Sequence, residues 1–402
     1  MESKQERGIT LIALVVTIVV LLILAGVSIS LVLNNNGVIG KAKDARDQYA
    51  EAQTNDEKQL NEVSDWIDTK VGDTTGGSDY DPASEGVPIP DGYYYVGGTK
   101  AKGLVISDNV VDKELDKGKE DVRRDLAGNQ WVWVPVETPS SLYTTVKDGV
   151  ALSGSTGVKT TKYTNSDIIS GITRVNPGDT SDSYREPDLV TSSNFGDTED
   201  RAKTAGFTSL KNMAETIVNE YDEMIRSIEK YKGFYIGRYE LSEKGEKTGV
   251  TQTDKTWYEL YKNCTELVIR SNVKTRMIWG VQWDATCIWL ANSGFNITDS
   301  TSWGNNSDNT ITGHGTMQNT GYSESWKANN IYDFAGNCRE FIQESNGYDG
   351  RVCRGGCYFH KGSDDSAASR YDNYPNSVNS SYCTRAALYV IPWYMKDFEL
   401  IV

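Results

Sequence analysis

The sequence predicts an α+β globular domain carried behind one long N-terminal α-helix. Two observations predict it. Residues Ile9 to Leu33 contain no charged side chain, and a run of that length and polarity reads as a helix. Beyond Asp91, short aromatic-rich strand candidates alternate with one amphipathic and one buried helical stretch and long polar loops. Strands and helices mixed in that way indicate α+β.

Composition narrows the function classes. The 402 residues suffice for one large domain with appendages. The net charge of -15 argues against nucleic-acid binding, which needs a basic footprint. The two histidines, His314 and His360, share no metal-ligand spacing, so histidine chemistry is poorly supplied. The six cysteines, Cys264, Cys287, Cys338, Cys353, Cys357 and Cys383, form no CxxC pair. An even count permits disulfides in an oxidising compartment. The competing reading, preferred here, is six small buried hydrophobes.

Residues 1–8, MESKQERG, form a polar leader with Lys4 and Arg7, and the apolar run starts at Ile9. Its 25 residues span roughly 37 Å as a helix, enough to cross a bilayer. The leader, Gly8 and the apolar run together resemble a prepilin of the type IV pilus and type II secretion class. The resemblance implies cleavage between Gly8 and Ile9, and a membrane anchor. In that family the fifth residue after the cut is usually Glu, which sets filament register; here it is Ala13. Lys4 and Arg7 precede the span, which keeps the leader cytoplasmic and sends the rest outward. Lys41 to Val71 continues as an amphipathic helix, with Leu60, Val63, Trp66, Ile67 and Val71 at near-helical spacing. The segment 9–71 is therefore read as one pilin-like transmembrane and amphipathic helix.

Residues 72–90, rich in Gly, Ser, Asp and Pro, read as a flexible linker. The domain then runs over 91–402. Gly92–Val96, Leu104–Ile106 and Gln130–Val136 read as strands. Residues 137 to about 205 read as long loops or an insertion. Ser209–Tyr231 has Met213, Ile217, Tyr221 and Ile228 on one helical face, and GFYIGRYE (233–240) reads as a strand. Trp279–Ala291 reads as a buried helix.

These pieces resemble the formylglycine-generating-enzyme and sulfatase-modifying domain, a C-type lectin-like fold. The resemblance rests on PDGYYYVGGT (90–99), GFYIGRYE (233–240), RMIWGVQWDATCIWLA (276–291), SWGN (302–305), NIYDFAGNCREFIQE (330–344), RVCRGGCY (351–358) and TRAALY (384–389). It covers most of residues 230–390. In those motifs Arg351, Arg354 and Arg385 are expected to pair with buried carboxylates such as Asp333 or Glu340. The enzymes of the family hold copper on two cysteines near a G-F-R motif. Here the equivalent is Cys383-Thr384-Arg385-Ala386, with no second sulfur at a matching position. The related sulfoxide synthases need three histidines. The chain is thus read as a binder and not an enzyme, with no catalytic residue.

The segment from Cys353 to Cys383 is crowded with Tyr, Ser, Asn and Asp. Tyr gives large contact area at low rotamer cost, and Ser, Asn and Asp give adaptable hydrogen bonds. The segment resembles the variable proteins of diversity-generating retroelements. In that family randomised adenines in AAY codons never yield Lys, Glu, Gln, Met or Trp. Only Lys361 of this segment belongs to that excluded set. The ligand-contacting positions are expected to be Phe359, His360, Asp364, Asp365, Tyr371, Asp372, Asn373, Tyr374 and Tyr382. The adjacent carboxylates Asp364 and Asp365 offer oxygen ligands for calcium; otherwise neither a cofactor nor a metal is expected. The expected partners are an extracellular protein or cell-surface ligand, the membrane through the N-terminal helix, and other pilins. The expected site of action is the outer face of the cell membrane or a pilus. A structural role as minor pilin or pseudopilin, and a cysteine-oxidising activity, are the competing readings.

Overall fold

A computed structural model describes residues 80–136, the strands 144–147, 150–153 and 172–175, and residues 183–391. The chain divides into a unit from Met1 to Thr75 and a second from Gly76 to Val402. The leader with Gly8 and Ile9, the apolar run and the amphipathic stretch lie outside the described residues. Among the described residues no helix is long and apolar enough to cross a membrane.

The second unit is α+β with antiparallel sheets. Its strands are β1 (Tyr94–Gly97), β2 (Val105–Ser107), β3 (Gln130–Pro135), β4 (Thr144–Lys147), β5 (Val150–Ser153), β6 (Ile172–Val175), β7 (Ser183–Glu186), β8 (Gly233–Gly237), β9 (Ile269–Arg270) and β10 (Val273–Met277). They continue as β11 (Lys327–Ala328), β12 (Ile331–Tyr332), β13 (Arg339–Ser345), β14 (Arg351–Arg354), β15 (Arg370–Asn373), β16 (Tyr382–Thr384) and β17 (Ala386–Val390). The helices are α1 (Glu199–Thr204), α2 (Leu210–Tyr231), α3 (Trp257–Glu266) and α4 (Gly280–Asn292).

One sheet runs β1-β2-β3-β8-β17-β10-β9. A second runs β15-β14-β13-β7-β6, with β16 added parallel to β13. β16 and β17 follow each other in sequence but lie in different sheets, with Arg385 alone between them. That residue therefore sits where the two sheets meet.

The core between these elements is aromatic. Trp131, Trp133, Trp257, Trp279 and Trp283 are fully buried. Two of them are fixed by their indole N–H groups, Trp257 to the Ile342 carbonyl at 2.9 Å and Trp283 to the Ala367 carbonyl at 2.9 Å. Helix α2 forms as its spacing predicts. Ser209 caps it through its hydroxyl, which accepts from the Asn212 N–H. Met213, Ile217, Tyr221, Met224, Ile225 and Ile228 are buried on its inner face. Glu220 breaks that apolar face, and it is held by Arg276 and by the Tyr261 hydroxyl at 2.7 Å.

Two regions depart from the sequence reading. The linker expected over 72–90 is folded in its last part. Pro82–Glu85 form a 3-10 turn capped by Asp81, Tyr80 packs on Tyr95, and Val87 is buried. A Gly/Pro/Ser composition marks turns as readily as tethers. The stretch 137–205, read as loops, carries the hairpin β4–β5, the pair β6–β7 and helix α1. Glu186, at the end of β7, reaches into the core and accepts from the backbone N–H groups of Gly280 and Val281 at the start of α4.

Candidate functional site

The site is built on a frame of buried ion pairs beneath β13, β14 and the loops that follow. Arg351 donates to Asp197 at 3.0 Å and stacks over Trp257. Arg354 and Arg370 share Asp284, Arg354 at 2.8 Å. Arg385 grips Glu340 with Nε at 3.0 Å and an Nη at 2.7 Å, and also donates to the carbonyls of Gly237 and Tyr332. Asp333, offered as an arginine partner by the sequence, instead accepts from the Thr320 hydroxyl and the Gly321 N–H. These pairs fix strands relative to helices. They face inward.

Above this frame, four of the expected contact residues converge on Arg339. That arginine opens β13 and is nearly buried. It forms an ion pair with Asp365 at 2.6 Å. The Tyr371 ring lies over its guanidinium at 4.5 Å and the Phe359 ring at 5.8 Å. Burial raises the Tyr382 hydroxyl above its ordinary range, while the nearby Arg339 and Asn373 side chains pull the other way. Phe359 and Tyr371 remain 46% and 44% exposed, so the cluster has an outward aromatic face over one buried cation. The sequence reading named the aromatics but not Arg339. Its signal was present as the arginine after Cys338, inside a motif read as scaffold only.

The remaining expected positions fall into two further groups. Tyr374 is exposed but stacks face to face on Phe195, with centroids 3.8 Å apart. Asp372 accepts from the Asn346 side chain at 2.5 Å, and Asn373 holds the Tyr374 N–H and Ser377. These three belong to β15 and the turn after it. β15 ends the sheet, pairing only with β14 in the strand order, and turns Tyr371 and Asp372 to solvent.

Asp365 corrects the sequence reading. It is 1% exposed, and its carboxylate is turned to Arg339 beneath the surface. It supports the face from below and is no surface contact. Asp364 is exposed beside it, with its carboxylate accepting from Ser363. The two carboxylates offered together for calcium are therefore divided between outside and inside.

The loop that carries Phe359 is fixed at both ends. Gly356 has φ +76°, and a Cβ there would lie 2.0 Å from the Asp365 carbonyl oxygen. Only glycine meets both conditions. The Ser307 N–H donates to the His360 carbonyl at 2.8 Å, and the Gly362 N–H to Asp308 at 2.9 Å. All six cysteines are buried and free. Burial pushes every one of their thiols above the ordinary range, Cys357 up to about 12. In that state they are neutral thiols at neutral pH and poor nucleophiles.

No protein-family model and no curated protein matches the chain. Two solved structures resemble it. Variable protein 1 of Treponema denticola is 14% identical, with a TM-score of 0.30, over 40% of this chain and 85% of that one. A crystal structure of CarF is 12% identical, with a TM-score of 0.27, over 40% of this chain and 87% of that one.

Proposed function

We propose that the chain is a ligand-binding protein whose recognition face is the Arg339 cluster, presented on a C-type lectin-like frame. The observation that carries the reading is the gathering of Phe359, Tyr371 and Tyr382 on one buried arginine. Large aromatic side chains are kept partly in water there by ion pairs beneath them. Exposed aromatics over a rigid base are the usual anchors of protein recognition. Binding is preferred to catalysis because the frame arginines are paired with carboxylates and burial raises the thiols above the ordinary range. The proposed setting is the cell surface, reached through the apolar N-terminal segment.

Secreted and cell-surface proteins displayed as a library and selected on the immobilised chain should include partners sensitive to this face. Their binding is expected to weaken by about 2 kcal/mol or more in each of Phe359→Ala and Tyr371→Ala. Selected partners that bind both variants as tightly as the original would remove the assignment.

We further propose that the outward positions are diversified by a retroelement. The composition between Cys353 and Cys383 supports this, with Lys361 as its one residue outside the AAY-derived set. The gene is expected to lie near a reverse-transcriptase gene and a near-repeat of codons 338–389 that differs only at adenines. A neighbourhood sequence without such a repeat would leave the face fixed.

A further inference from the structure

Beside the aromatic face, Cys357, His360 and Asp365 bring one sulfur, one imidazole nitrogen and one carboxylate oxygen within 4.8 Å of one another. The Cys357 sulfur and Asp365 Oδ2, the oxygen that also accepts from Arg339, are 3.8 Å apart. We propose that these three side chains form a site for a thiophilic divalent cation of the zinc class, with a fourth position open to water.

The donor set selects the metal. Sulfur, nitrogen and oxygen together suit zinc and its neighbours, whereas calcium and magnesium take oxygen alone. Tetrahedral zinc, with bonds of about 2.3 Å to sulfur and 2.0 Å to nitrogen or oxygen, holds its ligand atoms roughly 3.3–3.5 Å apart. Ligand atoms at the outer limit of 4.8 Å need to close by roughly 1.5 Å.

Two observations beyond proximity point to a ligand. First, one Asp365 oxygen, Oδ1, is buried without a hydrogen-bond partner, while the other holds Arg339. A buried carboxylate held by a guanidinium, with one oxygen unmatched, keeps an acceptor for a cation. An unmatched buried oxygen is otherwise costly. Second, the three residues sit on a loop already set. The His360 N–H donates to the Cys357 carbonyl at 3.2 Å, and the Asp365 N–H to the Lys361 carbonyl at 2.9 Å. His360 is half-buried, which leaves a path for the ion. With the thiol ionised, sulfur and carboxylate carry two negative charges and Arg339 offsets one. The thiol proton leaves to solvent as the cation enters.

The test uses the full chain, stripped with a chelator and titrated with cobalt(II). One equivalent should bind and produce a near-ultraviolet thiolate-to-cobalt charge-transfer band that zinc then abolishes. Cys357→Ser should remove the band. His360→Ala, which touches no part of the buried frame, should weaken cobalt binding at least about tenfold with an unchanged metal-free melting curve. Asp364→Asn, next to the site but outside it, should bind as the original does. No band in the intact chain, a band that survives Cys357→Ser, or unaltered affinity in His360→Ala would each overturn the assignment. The readout involves the metal alone, so its result is independent of protein-partner binding.

Discussion

Replacing Arg385 by Met is expected to lower folding stability by about 3–5 kcal/mol. The substitution roughly conserves volume, so packing alone would cost little. The loss comes from Glu340. It is fully buried, and its charge is matched by two donors of the Arg385 guanidinium. Without them a buried carboxylate stands unpaired at the meeting of the two sheets. The carbonyls of Gly237 and Tyr332 lose their donors as well. The check is a urea titration, in which the midpoint should fall with little change in slope. The double variant Arg385→Met with Glu340→Gln should recover part of the loss, since it removes the orphaned charge. If the single variant melts like the original, the pair does not hold the sheets together.

The second large effect is a fall of stability with rising pH, centred on Glu246. Desolvation raises its pKa from 4.5 to about 8, although Arg385 pulls the other way. Its Oε2 is buried without a hydrogen-bond partner. Space for it exists only because residue 237 is glycine, where a Cβ would come within 2.2 Å of that oxygen. The folded pKa lies above the unfolded one, so folding favours the protonated form. The contribution is fully present below about pH 4.5 and is lost as pH rises toward about 8. Between those limits this one group contributes a slope of up to about 1.4 kcal/mol per pH unit. Burial raises Asp333 to about 6 and moves Glu240 and Glu340 upward, so the three add in the same sense. Urea midpoints at pH 5, 6.5 and 8 should fall in order, and Glu246→Gln should flatten the series. An equally steep fall in that variant would assign the dependence elsewhere.

Much of the fold was legible because its signals are local. β3, α2 and α4 lie within one residue of where the sequence reading put them, and β8 starts where expected but ends three residues earlier. Helix α3 was missed although Thr256 and Glu259 close a capping box at its start. Hairpin β4–β5 was also missed, although the dipeptide Asp148-Gly149 between its strands is a strong hairpin signal. The polar composition around it hid the alternation. Partners that depend on distant sequence were not legible at all. Nothing near Arg354 in the chain points to Asp284, and nothing near Arg351 points to Asp197.

The same division applies to the site. Of the expected contact side chains, Phe359, Asp364, Tyr371, Asp372 and Tyr374 are exposed. Asp365 and Arg339 were not legible, because exposure is decided by tertiary contact and not by residue type. An aspartate beside an exposed aspartate looks identical in sequence whether it faces water or an arginine.

The position of the ion pairs has an evolutionary consequence. Arg351, Arg354 and Arg385 and their carboxylate partners hold the backbone from within, and of the expected contact residues Asp365 joins that buried network, through Arg339. Exchanges at solvent-facing Asp364 therefore fall in the class that alters stability by only about half a kcal/mol. Such a chain can be rewritten at its outward letters over many generations without being selected against for misfolding.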